Sequence, residues 1–167
     1  FAANNQEAYR DSINVEIDER VLRELYLKGF EIAVKKASPA SVMCAYNKVG
    51  SVWCSENCFL LTDVLKREWN YDGFVVSDWG AVQDTCSAIR AGLDLRMPHH
   101  EHMLEDILEG IKGGVITETQ IDDAVERILS FVMQKRPEKR LYNRNSQHEF
   151  AKEIAAAGIV LLKNENN

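Results

Sequence analysis

The chain lacks most of the patterns that betray a function on sight. None of GxGxxG, GxxxxGK followed by Ser or Thr, GxSxG or HExxH occurs, which removes the simple nucleotide-binding, serine-hydrolase and zincin readings. No apolar run approaches the roughly 20 residues that a membrane-spanning helix needs, so no membrane partner is expected. There is no basic, aromatic-bearing stripe, and the net charge is −6, which disfavours nucleic acid as a partner. Four cysteines are present, Cys44, Cys54, Cys58 and Cys86, but none forms a CxxC pair and no HxxxH lies nearby to complete a zinc site. The thiols read as free and partly buried. A Cys54–Cys58 or other bridge stays open, and with it the compartment: cytoplasmic, periplasmic and secreted all fit. No signal-peptide pattern precedes Phe1, which is not Met, so the chain reads as a piece of something longer or as processed. No metal and no cofactor is expected.

What is there is an ordinary soluble composition. The 167 residues are 46% apolar and 28% charged, enough for about one domain. Phe1 to Asn14 is polar and aperiodic and reads as loop. Asp18 to Lys36 reads as a helix with Val21, Leu22, Leu25, Tyr26, Phe30 and Ala33 on a broad apolar face, stopped by Ser38-Pro39. Ser41 to Asn47 suits a buried strand, and Gly50-Ser51 a turn. Asn57 to Trp69 reads as a helix with Leu60, Leu61, Val64, Leu65 and Trp69 on one side. Phe74 to Ser77 is a second buried strand. Ala81 to Ala91 reads as a helix closed by Gly92, and "LDLRMP" as a short third strand ended by Pro98. A helix is expected near His102 to Lys112. The box Thr117-Glu118-Thr119-Gln120 should open another, running to about Gln134, with Ile121, Ala124, Val125, Ile128, Leu129 and Val132 as its apolar face. "KRPEKRLYNR", Lys135 to Arg144, carries five basic residues and one acid and looks like a solvated linker. A second box, Ser146-Gln147-His148-Glu149, should open a helix through Ala157, and "GIVLLKN" reads as a strand.

Strands alternating with helices predict a parallel α/β sheet, and apolar runs without clean alternation favour strands covered on both faces. A complete (β/α)8 barrel of TIM type needs about 250 residues, and only three or four strands precede the basic linker. The expected architecture is therefore α/β: the C-terminal part of a TIM-type barrel over residues 1–134, a linker over 135–145, and over 146–167 the first helix and strand of a following α/β sandwich domain. A small doubly wound domain is the competing architecture, and the early linker counts against it.

In parallel α/β folds functional groups gather at the carboxyl ends of strands. Two such ends stand out, Met43-Cys44-Ala45-Tyr46-Asn47 and Val76-Ser77-Asp78-Trp79. An acid straight after a buried strand is placed to face a pocket, a Trp beside it offers a flat platform for the apolar CH face of a sugar, and a Tyr from another strand can hydrogen-bond the carboxylate. Asp78 as the cap of the following helix is nearly as good an explanation. "HHEH", His99 to His102, cannot aim three imidazoles one way in regular structure and reads as a polar loop, placed at the barrel mouth if the barrel holds. For Asp84 and Asp94, capping or structural pairing is at least as good a reading as catalysis.

The segments "FAANNQE", "INVEIDERVLRELYLKGFE", "SVMCAYNKV", "LLTDVLKREWNYDGFVVSDWGAV", "AGLDLRMP" and "GIVLLKNEN" resemble, in order and spacing, glycoside hydrolase family 3, the family of β-glucosidases and β-xylosidases. The resemblance covers nearly the whole chain. It implies a retaining glycosidase in which Asp78 is the nucleophile, Tyr46 lies against it, and Met43 and Trp79 line the subsite of the non-reducing sugar. It also implies a Lys-His pair just before Phe1 and a general acid/base, usually a Glu, in the second domain, both outside this chain. There are departures: Gly50-Ser51 replaces the usual Asn-Gly, Asn70-Tyr71 the usual Gly-Phe, and Arg96 stands where an acid is common.

Double displacement needs two carboxyl groups about 5–5.5 Å apart across the scissile bond, one ionised and one protonated. The resemblance thus implies an exo-acting β-glycosidase, on β-glucosides first and β-xylosides as the alternative, whose isolated 167-residue piece has little turnover and exposes unpaired edges. A non-catalytic sugar-binding relative, or an unrelated barrel enzyme using Asp78 as a base, are the readings from other classes. Besides a β-glucoside or oligosaccharide, the expected partner is the remainder of its own chain, with self-association left open.

Overall fold

The computed structural model describes residues 1–134 and 142–165, which fall into two compact units, Phe1–Gln134 and Lys135–Asn167. The core of the first is a parallel pair, β2 (Ser41–Cys44) and β5 (Phe74–Ser77), in the register Ser41↔Phe74 to Cys44↔Ser77. Val42, Cys44, Val75 and Ser77 point into the core, while Ser41 and Met43 lie exposed on the other face. On the far side of β2 the chain start runs alongside, the Ala45 N–H donating to the Phe1 carbonyl at 3.0 Å. A smaller sheet holds β1 (Asn14–Val15), β3 (Lys48–Val49) and β4 (Val52–Trp53), with β1 parallel to β3 and β3 antiparallel to β4. These two-residue strands were not expected. They are too short for an alternating pattern to register, although the Gly50-Ser51 turn between β3 and β4 is where the sequence puts it, both residues at positive φ.

The expected third strand at "LDLRMP" is reduced to a single parallel bridge, Val76↔Leu95. The Asp94 and Leu95 N–H groups both donate to the Val75 carbonyl, and the Ser77 N–H donates to the Leu95 carbonyl. The ladder then ends because the Met97 N–H turns to the Ser77 Oγ at 2.8 Å instead of to backbone. A side chain thus takes over where a strand would continue.

The first helical stretch is α1 (Glu19–Val21), a π-type turn over Leu22–Tyr26, and α2 (Lys28–Ala37), with Asp18 capping its start through the Val21 N–H. Of the face that regular periodicity predicts, Leu22 is buried and Val21 and Tyr26 are half-buried, but Leu25, Phe30 and Ala33 are exposed, and Leu27 and Val34 are buried in their place. The cause is local. The Leu27 N–H closes on the Leu22 carbonyl, an i→i−5 bond, which inserts one residue and rotates the following turns out of phase. The helix Phe59–Glu68 is also π-type, yet Leu60, Leu61, Val64, Leu65 and Trp69 are all buried as the spacing predicts.

The next helix, α3 (Thr85–Ala91), starts later than Ala81 because Asp84 caps it through the Ser87 N–H, and Gly92 closes it at φ 101°. There follow α4 (Met103–Lys112) and α5 (Glu118–Met133), the latter opened by the expected Thr117/Gln120 capping box. Along α5, Ile121, Ala124 and Ile128 are half-buried, whereas Val125, Leu129 and Val132 stay exposed.

In the second unit α6 (Arg144–Gly158) begins two residues before the Ser146 box. It is capped by Asn143, which accepts from the Asn145 and Ser146 N–H groups. Residues 135–141 of the expected linker lie outside the described residues. The strand expected at "GIVLLKN" does not form: Ile159 to Lys163 has no ladder and Leu162 is 93% exposed. A lone strand has only solvent for its backbone donors and acceptors, and the described residues of this unit offer it no partner.

Candidate active site

Parallel pairing in register delivers β2 and β5 to a common end, so the residues that follow them leave side by side. From β2 comes Tyr46 and from β5 comes Asp78. The Tyr46 hydroxyl lies 3.0 Å from Asp78 Oδ1 and 2.7 Å from the Trp79 carbonyl oxygen. It has one hydrogen and so donates to one of the two at a time. The Trp79 N–H donates to the same Asp78 Oδ1 at 2.7 Å. Burial, and then the hydrogen bond to Asp78, raise the pKa of the Tyr46 phenol above its ordinary value, which keeps it protonated and a donor.

Asp78 does not cap the next helix; Asp84 holds that position. Among the described residues no lysine, arginine or histidine forms an ion pair with Asp78. Its carboxylate is therefore held by two neutral donors on one oxygen, leaving Oδ2 free of protein hydrogen bonds among the described residues. Met43 pairs with Val76 across the ladder, and side-chain alternation along β5 sets Val76 and Asp78 on the same face. Met43 is 52% and Trp79 66% exposed. Met43 thus lies on the face that Asp78 shares, and the Trp79 side chain, next in sequence to the acid, is open to solvent.

Arg10 adds a contact that sequence reasoning missed. Its guanidinium sits 4.6 Å from the centre of the Tyr46 ring, in cation–π range, and pairs with Glu7 at 3.2 Å. Only its place in a polar segment was visible in the sequence, and nothing there pointed to Tyr46.

Other candidates resolve into structural roles. Asp94, 1% exposed at its side chain, pairs with Lys66 at 2.9 Å and Arg127 at 3.1 Å, and accepts the Val75 N–H. A cavity of about 650 Å³ is lined by Lys66, Arg90, Asp94 and Arg127 among others, and by none of Met43, Tyr46, Asp78 or Trp79. On its wall Lys66 and Arg127 are both paired with Asp94. His99 to His102 forms a loop, with His100 3.9 Å from Asp106 and His102 3.9 Å from Glu105. No three potential metal ligands cluster among the described residues. All four cysteines are free, so the Cys54–Cys58 bridge is not formed. Cys44, behind the site, is fully buried, and burial pushes its thiol up to about 12, which makes it a poor nucleophile.

Residues 1–131 match the family pattern described as the Glycosyl hydrolase family 3 N terminal domain. The thermostable beta-glucosidase B of Acetivibrio thermocellus is 51% identical over 172 residues, an alignment that covers 100% of this chain and 23% of that protein. An exo-alpha-(1->6)-L-arabinopyranosidase of Bifidobacterium longum is 39% identical, over 99% of this chain and 22% of its own. Among solved structures, the GH3 beta-glucosidase of Bifidobacterium adolescentis superposes with a TM-score of 0.84 at 38% identity, over 99% of this chain and 25% of that one. The chain thus spans about a quarter or less of the length of these relatives.

Proposed function

The chain belongs to glycosyl hydrolase family 3, and on that premise we propose that it carries the nucleophile half of a retaining exo-β-glycosidase that releases terminal β-D-glucosyl residues. The observation that carries this reading is the Tyr46–Asp78 pair at 3.0 Å on the open end of the β2–β5 ladder. Phe1–Gln134 is the C-terminal part of a (β/α)8 barrel, and the general acid/base comes from outside this chain, in the longer protein. No metal or cofactor takes part.

In the first step an Asp78 carboxylate oxygen attacks the anomeric carbon and a second carboxylic acid gives its proton to the departing glycosidic oxygen. In the second step water, relieved of a proton by that same group, attacks the anomeric carbon and frees Asp78. Tyr46 and the Trp79 N–H, both donating to Oδ1, fix the carboxyl plane and leave the other oxygen as the attacking atom. Trp79 stacks on the sugar's CH face and Met43 fills the floor beside it. The arabinopyranosidase relative makes the glycone the point to test, together with xylose.

The experiment is incubation of the full-length protein with 2-deoxy-2-fluoro glycosides of glucose, xylose and arabinopyranose, followed by peptide mass spectrometry. A sugar adduct on Asp78, fastest with the glucoside, is expected. Labelling of another residue, or none in an enzyme that turns over, overturns the assignment of Asp78.

A further inference from the structure

Between Asp78 and the cap of α3 lies a loop with no regular structure, Trp79 to Gln83, and its backbone is held at almost every point by a different element. The Gly80 N–H donates to the Met97 carbonyl at 3.0 Å and the Ala81 N–H to the Asp78 carbonyl at 3.2 Å. Three further ties come from a single 3₁₀ turn, Cys54–Glu56, whose residues have no place in the chemistry above. The Ser55 hydroxyl, fully buried, donates to the Ala81 carbonyl at 2.9 Å. Glu56 Oε1 accepts two successive amides, Gln83 N–H at 2.9 Å and Asp84 N–H at 2.8 Å. Ala81 and Val82, between these ties, are buried.

The Trp79 peptide connects this loop to the carboxylate: its N–H donates to Asp78 Oδ1 and its carbonyl lies within reach of the Tyr46 hydroxyl. A shift of the loop therefore rotates the very amide that orients Asp78. One side-chain oxygen that accepts two successive amides pins the backbone at two adjacent points, and Gly80, at φ +80°, gives the segment a joint that would swing if the anchor were lost.

We propose that Glu56, with Ser55, is a positioning residue for the nucleophile, acting through the Trp79–Asp84 backbone to fix the Asp78 carboxyl plane and the Trp79 ring. It touches neither substrate nor reacting atoms. The inference rests on the reading of Asp78 as nucleophile for its effect on rate, and stands apart from that reading for its effect on the loop.

The test uses the full-length protein with Glu56→Ala, Glu56→Gln and Ser55→Ala. Gln keeps an acceptor oxygen of the same reach, so it separates anchoring from bulk. In Glu56→Ala, kcat and the rate of inactivation by the 2-fluoro glucoside should both fall about 10- to 100-fold, the range for small misplacements of a reacting group, with KM changed much less. Glu56→Gln should recover to within a few-fold of the parent, and Ser55→Ala should fall less than Glu56→Ala. Hydrogen exchange of the Gln83 and Asp84 amides should speed up in Glu56→Ala and stay near the parent rate in Glu56→Gln. A folded Glu56→Ala protein with parental kcat and parental exchange overturns the proposal. So does a Glu56→Gln protein as slow as Glu56→Ala. If Glu56→Ala does not fold, Ser55→Ala decides in its place, and a folded Ser55→Ala protein with parental kcat and parental exchange over Trp79 to Asp84 overturns the proposal. Failure of the parent to label at Asp78 counts against the nucleophile reading, and the exchange rates then decide the anchor alone.

Discussion

The strand β5 has a carboxylate at each end, and the two are treated in opposite ways. At its beginning the Val75 N–H meets Asp94, which is shut away from water and shared between Lys66 and Arg127. At its end Asp78 meets, among the described residues, only neutral donors, the Tyr46 hydroxyl and the Trp79 amide. Asp94 has its charge cancelled within the fold. Asp78 has no ion-pair partner among the described residues, and its direction is fixed by hydrogen bonds. A carboxylate that is to attack carbon needs the second arrangement, because an ion pair as tight as that of Asp94 would lower its nucleophilicity and occupy its oxygens. The polarity of a parallel strand, inert at one end and open at the other, is thus written in the partners of two aspartates.

Exchanging the demands on the two ends is the sharpest test. Asp78→Asn in the full-length enzyme should lower kcat on an aryl β-glucoside by a factor on the order of 10⁴ or more, with melting temperature nearly unchanged. Substantial turnover in that variant would break the contrast. Asp94→Asn should do the reverse. It leaves Lys66 and Arg127 beside a neutral group, and should cost about 3 kcal/mol in chemical denaturation, the low end for a broken buried pair because Arg127 is partly in water. The kcat of the folded fraction should stay within a few-fold of the parent. Tyr46→Phe removes the donor but keeps the ring, and kcat should fall roughly 10- to 100-fold, the loss of one hydrogen bond to a charged acceptor; an unchanged kcat would show that the Trp79 amide alone orients Asp78.

The smallest effect belongs to a third carboxylate, Glu31, which pairs with Lys28 and Lys35 on the surface. Hydrogen bonds to these lysines lower its pKa to about 2. A depressed folded value means a contribution present above the ordinary pKa of 4.5 and lost as pH falls from there toward 2. Glu31→Gln should therefore narrow the difference in melting temperature between pH 6 and pH 2 slightly, and salt should erase the effect.

How far the sequence could be read follows the same physics. The apolar runs of β2 and β5 and the register of carboxyl ends after them were legible, and with them the juxtaposition of Tyr46 and Asp78. Strands of two residues carry no period, so β1, β3 and β4 were not. The bridge at Leu95 was over-read as a strand because an apolar run does not reveal that Ser77 will intercept the next amide. Leu25 and Phe30 were assigned inward because a π-type turn shifts helical phase without leaving a mark in composition. The cap between Asp78 and Asp84 was ambiguous for a plain reason: both precede helix-forming residues, and only the backbone course shows which one faces the open amides. Arg10 and Glu56 act across long stretches of chain, and contacts of that kind have no signature in local pattern.

The phenol of Tyr46 lies between two oxygens with one hydrogen to give. It is a rotor with two stops. While Asp78 is anionic the hydrogen rests against it. If that charge is removed, as the proposed esterification to a sugar would do, a turn about the single C–O bond parks the hydrogen on the Trp79 carbonyl. The site can then pass between its charged and uncharged forms without stranding a donor and without moving a heavy atom, so the same rigid frame would serve both halves of the proposed two-step reaction.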